Sequence, residues 1–260
     1  MFSENNCSAG DFDVFEGMTS ISAVINSINN GTNNRKVIKI IYDRLRADKK
    51  SRELSYLKIM SEKLSFELEE TDEKNLDKMT SGTTHGGFVA ICSKRALPSL
   101  DTLCLPENGF FVLLEGVEDP YNFGYSVRSL YASGVDGIIL PKRNWLELSS
   151  TVARSSAGSS EIADIYISDP LECVKHFKNN GFSVACAGIR DSVSLYDADF
   201  TVPTLLVVGG EKRGVSRKIL DLCDYSVRID YGAEFKGSLP TASAVSVIAF
   251  EALRQRSKKI

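Results

Sequence analysis

"LLVVGGEKRGVSRKIL", residues 205–220, decides how the rest of the chain is read. Leu205 to Val208 form an apolar run that meets Gly209 and Gly210. Three charged residues follow, Glu211, Lys212 and Arg213, then Gly214 and the start of a helix. A short apolar run bounded by glycines suits a buried strand. Strand, glycine loop and helix in succession belong to a layered α/β fold, and the glycines let the backbone come close to something. That something is unlike a phosphate. No GK[ST] ends the loop, and the spacing is GGxxxG rather than GxGxxG. Glu211 at the loop's centre would repel an anion, so a neutral polar or cationic ligand fits better.

The same alternation extends to both sides. Strands are expected at 110–117, 137–141, 163–168, 182–189, 204–210 and 226–230, with helices at 124–134, 170–180, 216–223 and 239–257. Near-continuous apolar strands between helices imply a parallel sheet covered on both faces, with ligands beyond the strands' carboxyl ends. Upstream lies a smaller α/β module. It has helices at 18–29, 51–64 and 71–79, capped by Thr19 or Ser20 in the first and by Thr71 in the last. Its strands are 36–43, a short one in SFELEE, and 87–93, and residues 1–13 read as a loose tail. The proline-bearing stretch ALPSLDTLCLPENG gives the division: a small domain at 1–97, a linker at 98–108, and a larger domain at 109–260.

Composition narrows the function. The N-terminus is polar and acidic with no apolar leader, and no run of ~18 apolar residues exists, so a cytoplasmic protein with no membrane span is expected. Six cysteines without a CxxC pair read as reduced thiols, and with only His85 and His176 no metal site is expected. A net charge of −3 means that any nucleic-acid contact must come from local patches.

Three loops carry candidate chemistry. In EGVEDPYNFGYSVRSLYASG (115–134), Asn122 and Gly124 precede a helix bearing Arg128, placed in its first or second turn. A cation there opposes the helix dipole. Either a nearby anion offsets that cost, or Arg128 pairs with Glu115, Glu118 or Asp119. The second loop is the glycine stretch. In the third, 229–259, Gly237 and Ser238 open a long helix, with Ser238 as cap and small residues Ala242, Ser243 and Ala244 at its start.

Together these segments resemble one family. DPYNFGYSVRS, VVGGEKRGV and GSLPTASAVSVIAFE are similar to the three motifs of the SpoU (TrmH-like) RNA methyltransferases of the SPOUT superfamily, and STVARSSAGSSEI is similar to an intermediate segment. The likeness spans about 110–257. More loosely, EGMTSISAVINSINNG and THGGFVAI resemble the small substrate-binding domain that often precedes it. The resemblance implies a trefoil-knotted α/β domain with a parallel sheet, preceded by a small α/β substrate-binding domain. It implies an S-adenosylmethionine-dependent enzyme that methylates a ribose 2′-hydroxyl of rRNA or tRNA, acting as a homodimer. Carried onto this chain, the catalytic residues are Asn122, Arg128, Glu211 and Ser238. The cofactor-binding set is Val208, Gly209, Gly210, Glu211, Gly214, Ile229, Ser238 and Leu239. RNA contacts are expected at Arg35, His85, Arg128 and Arg154, with Asn34, Lys142 and Arg143 as further candidates. Pro240 departs from the pattern, because the family has asparagine there. Proline offers no side-chain donor or acceptor and no N–H. The enzyme either works without that contact, or the chain is a weakened or inactive RNA-binding homologue.

Overall fold

In the computed structural model, residues 12–80, 84–142 and 149–257 are described. They group into two compact units, one lying within 1–96 and 144–162, the other within 97–143 and 163–260.

The second unit is built on the apolar runs. Strands β5 (Phe110–Glu115), β6 (Gly137–Leu140), β7 (Ile165–Ile167), β8 (Ser183–Ala187), β9 (Ser192–Ser194), β10 (Thr204–Gly209) and β11 (Tyr225–Arg228) form one sheet. Its order is β7-β6-β5-β10-β8-β11-β9, and each neighbouring pair is parallel. β5, β6 and most of β10 are buried along their length, as a sheet covered on both faces requires. β6 and β7 lie on one side of β5, whereas β10 and β8 lie on the other, so the sheet has a switch point at β5/β10. Such a point opens a crevice at the strands' carboxyl ends.

Helices α5 (Pro120–Ala132) and α8 (Pro170–Asn179) both start on Asp-Pro. Asp119 and Asp169 accept hydrogen bonds from first-turn N–H groups, and the following proline needs no partner for the donor it lacks. This corrects the start of α5 from 124 to 120 and moves Arg128 into the third turn, where the dipole has faded. Helix α9 (Arg217–Leu220) is short. Helix α10 begins at Thr241 and runs to Ser257, so Ser238 lies in the preceding loop and does not cap it. The Pro240 carbonyl accepts from Ala244 N–H at 3.0 Å.

In the first unit, β1 (Phe12–Glu16), β2 (Val37–Asp43), β3 (Glu67–Thr71) and β4 (Phe88–Ser93) form a sheet in the order β1-β4-β2-β3. β4 is antiparallel to both β1 and β2, and β3 is parallel to β2. β1 falls at the end of the stretch expected to be loose. Val14, Phe15 and Glu16 pair with Ile91, Ala90 and Val89. Helices are α1 (Gly17–Asn29), α2 (Arg44–Asp48), α3 (Ser51–Leu64) and α4 (Glu73–Met79), and their caps differ from expectation. Glu16 precedes α1 without capping it by its side chain, and Asp72, one residue after Thr71, caps α4.

Helices α6 (Ser149–Ser155) and α7 (Ser159–Ile162) belong to this unit although they follow β6 in sequence. The contiguous division at 98–108 therefore differs from the contacts. Ala153 sits in the core with Phe15, Ile21 and Ile25. The buried Glu161 carboxylate takes hydrogen bonds from Asn33 Nδ2 at 2.9 Å and Arg35 Nε at 2.8 Å. An ionic centre of this kind holds only where its partners are kept together.

Candidate active site

Gly209 ends β10 and Gly210 follows it, beside the loop that follows β5. A Cβ on Gly210 would stand 1.9 Å from the Gly116 carbonyl oxygen, and one on Gly209 would stand 2.0 Å from the Gly214 carbonyl carbon. What comes close to these glycines is therefore backbone on both sides. Gly214 N–H donates to the Gly210 carbonyl at 2.9 Å and folds the loop back on itself, with Gly214 itself at φ 63°. A positive φ of this kind suits glycine.

Beyond this junction lies a cavity of about 1250 Å3 at the carboxyl ends of β8, β10 and β11. Val208, Gly209, Gly210, Glu211 and Gly214 line it from β10 and its loop, and Ile229, Ser238 and Leu239 from the loop after β11. All eight residues expected at a cofactor thus share one pocket. Asn122 also lines it, and its Nδ2 donates to Glu211 Oε1. Two of the proposed catalytic groups are therefore in direct contact, although they are far apart in sequence. Ser216 N–H donates to Glu115 Oε2 at 3.0 Å, which ties α9 back to the end of β5. The loop before α10 is held by Leu239 N–H donating to the Tyr231 hydroxyl at 3.2 Å, and Tyr231 packs edge-on against Phe235.

Arg128 does not line this cavity. It is exposed on α5, with no ion pair among the described residues. The alternative of a pairing with Glu115, Glu118 or Asp119 is not seen: Glu118 faces Lys212 at 3.3 Å, and Asp119 caps the helix.

The first unit's candidates behave differently. Arg35 is 3% exposed and bonded to Glu161, Asp13 and the Ser93 carbonyl. Burial works against its charge, but the Glu161 and Asp13 carboxylates outweigh it and hold its pKa above the ordinary value. His85 is fully buried: its Nε2 meets Asp77 Oδ1 at 3.0 Å, and its Nδ1 accepts from Gly87 N–H at 3.1 Å. Arg154 bonds Glu16 at 3.0 Å and also donates to Thr84. Arg35 and His85 are buried and Arg154 is half-buried, and all three are engaged within the unit, so an RNA contact from any of them would have to compete with these partners. Asn34 is exposed yet bonds Ala96 through both its amide groups. Lys142 is exposed, and Arg143 lies outside the described residues. Sequence reasoning passed over Tyr231, Arg190 and Arg213, which line the cavity. The signal was available, since Arg190 follows β8 and any loop after a strand of a parallel sheet faces the crevice.

Among the described residues no cluster of His, Cys, Asp and Glu could hold a metal, and no helix is long and apolar enough to cross a membrane.

Comparison with known proteins gives two matches along the chain. Residues 109–250 match the SpoU rRNA Methylase family, and residues 16–98 match the RNA 2'-O ribose methyltransferase substrate binding family. A 23S rRNA (guanosine-2'-O-)-methyltransferase RlmB of Shewanella oneidensis is 32% identical over 194 residues, covering 72% of this chain and 77% of that one. The SpoU methyltransferase AviRb of Streptomyces viridochromogenes, solved in complex with the cofactor AdoMet, is 26% identical with a TM-score of 0.76 over 98% of this chain and 95% of that one. An AdoMet-bound rRNA methyltransferase of Sinorhizobium meliloti shares the fold, with a TM-score of 0.78 at 22% identity over 94% of this chain and 87% of that one.

Proposed function

The chain belongs to the SpoU rRNA methylase family, and from that premise we propose that it methylates a ribose 2′-hydroxyl of ribosomal RNA with S-adenosylmethionine. The observation that carries this is the single cavity that gathers Asn122, the glycine loop of 209–214 and the 229–239 loop. The cavity suits that cofactor. Val208, Ile229 and Leu239 offer apolar wall, whereas Asn122, Glu211, Ser238 and the loop backbone offer polar groups. When bound, S-adenosylmethionine supplies an electrophilic methyl on a sulfonium that leaves as a neutral thioether.

The chain's own residues then have to place the 2′-oxygen and manage its proton. Positioning alone can supply up to ~7–11 kcal/mol of barrier reduction. Arginine, with a pKa above ~12, is a poor base. Arg128 is best assigned to anchoring an RNA phosphate and the ribose, with the proton lost late. Asn122 and Glu211 hold each other and set the cavity wall nearest α5.

The finer features belong to the same proposal. The parallel sheet and the backbone crossing at Gly209–Gly210 suit a trefoil-knotted domain. The first unit is the RNA-selecting module, and the protein works in the cytoplasm. A second copy docks on the exposed Tyr121 and Tyr125 of α5 and Val247 and Phe250 of α10, two helices joined at Ser129–Ser246. That arrangement would bring an exposed Arg128 to the partner's cavity. The substrate is a guanosine of 23S rRNA, as in the Shewanella relative.

The test is calorimetric titration with S-adenosylmethionine, followed by transfer of labelled methyl to 23S rRNA and mapping of the modified nucleotide. Arg128→Ala is expected to remove most turnover and leave cofactor affinity within a few-fold. Near-wild-type turnover in that variant would refute its role, and an absence of cofactor binding up to millimolar would refute the function.

A further inference from the structure

The rim of the cavity carries charge outside the set of residues expected at the cofactor. Four arginines line it. Arg217 pairs with Asp221 at 2.9 Å, and Arg228 pairs with Asp230 at 2.8 Å. Arg190 and Arg213 are exposed and have no ion pair among the described residues. They reach the rim from different loops, Arg190 after β8 and Arg213 after β10. Those strands are hydrogen-bonded neighbours running in the same direction, so both loops leave the sheet at the same end, side by side.

The nearby acids are mostly engaged. Glu211 accepts from Asn122, and Glu118, outside the cavity lining, is taken by Lys212. Asp191 remains on the rim beside Arg190, in a left-handed conformation with φ 47°. The loop is pinned by Ser192 Oγ donating to the Ile189 carbonyl at 2.7 Å. The cavity, at about 1250 Å3, exceeds the ~300–1,000 Å3 of ordinary small-molecule sites. There is room for a second ligand beyond the cofactor.

We propose that Arg190 and Arg213 form a two-loop anion subsite at the cavity mouth that grips an RNA phosphate next to the target ribose. This rests on the RNA methyltransferase reading and deepens it. The competing anion is the carboxylate of the cofactor. Their planar donors match a carboxylate and a phosphate alike, and a phosphate is favoured because both residues are exposed at the rim, where a polymer must pass.

The experiment uses the full-length protein and a fluorescein-labelled single-stranded RNA of mixed sequence, titrated over a range of salt. Arg190→Gln/Arg213→Gln is expected to weaken RNA binding about tenfold or more at low salt, the scale of a lost charge-assisted contact. The slope of log K against log salt should fall in magnitude by ~0.7, one single-strand phosphate. Arg190→Lys/Arg213→Lys should restore the slope, because lysine keeps the charge. S-adenosylmethionine affinity by calorimetry should stay within twofold. An unchanged salt slope with weakened cofactor binding would assign the pair to the cofactor carboxylate and overturn the proposal. An unchanged slope with unchanged cofactor binding would overturn it as well. Failure of the wild-type protein to bind RNA at all would instead remove the function on which the proposal rests.

Discussion

Replacing Gly210 with alanine tests the idea that the glycine pair exists for backbone against backbone. The new Cβ would lie 1.9 Å from the Gly116 carbonyl oxygen and 2.6 Å from the Gly116 carbonyl carbon. Real Cβ contacts essentially never fall below 3.0 Å, so one chain segment must move by roughly the 1.1 Å difference (3.0 − 1.9). Neither segment is free to do so. Gly209 pairs with Glu115 in the sheet, and the 210–214 turn is closed by its own hydrogen bond. Overpacking in a site that can adjust costs ~1–3 kcal/mol, and this backbone pair belongs at the upper end. Near ~3 kcal/mol, the melting transition of the second unit should drop by ~6–12 °C. S-adenosylmethionine affinity should fall with it, because the displaced backbone is cavity wall. Gly214→Ala is the control. It has φ 63° and nothing within 4 Å, so it carries only the left-handed penalty of ~1–2 kcal/mol. Calorimetric melting and cofactor titration of both variants decide the matter. A Gly210→Ala protein within ~2 °C of wild type, with unaltered affinity, would refute the backbone-crossing argument.

Three further outcomes follow from the same structure. Arg35→Ala strips two buried carboxylates, Asp13 and Glu161, of their partner and should destabilise the first unit by ~3–5 kcal/mol in a denaturant titration. The RNA salt slope of the folded fraction should not change, and a reduced slope at full stability would restore Arg35 as an RNA contact. Asp230 is held below the ordinary carboxylate range by a hydrogen bond from Ser194 and, next, by Arg228. Its folded pKa is depressed, so its stabilisation is present above the unfolded pKa and is lost as pH falls through the folded one. The melting difference between wild type and Asp230→Asn should be positive at pH 6 and shrink below about pH 4; a pH-independent difference would contradict this. Pro240→Asn restores a donor and an acceptor beside the cavity and should raise turnover by about tenfold, the worth of one good hydrogen bond. Unchanged turnover would mean that the native site needs no contact there.

Much of the fold was legible because it follows from local patterning. The buried strands around 110–115 and 204–209 announce themselves as apolar runs, and helix 51–64 by its amphipathic period. β1 escaped because FDVFE is short and carries two acids, and it becomes a strand only by pairing with β4. The cavity set was legible through the motifs' resemblance to a family, and it gathers in space because in a parallel sheet the loops after strands converge on one edge wherever they lie in sequence.

The sequence by itself determined the α/β layering and the glycine loop by order and spacing along the chain, and it pointed to the family and the cavity residues by the resemblance of three motifs. Only the tertiary structure decided which charged residues are free. Arg35 looks like a surface cation until Glu161, 126 residues away, is folded against it, and His85 until Asp77 and Gly87 enclose it. Arg190 and Arg213 look ordinary until two neighbouring strands bring their loops to one rim. Burial and charge pairing depend on long-range contacts that one-dimensional patterns do not encode, whereas strand and turn formation depends on neighbours a few residues apart.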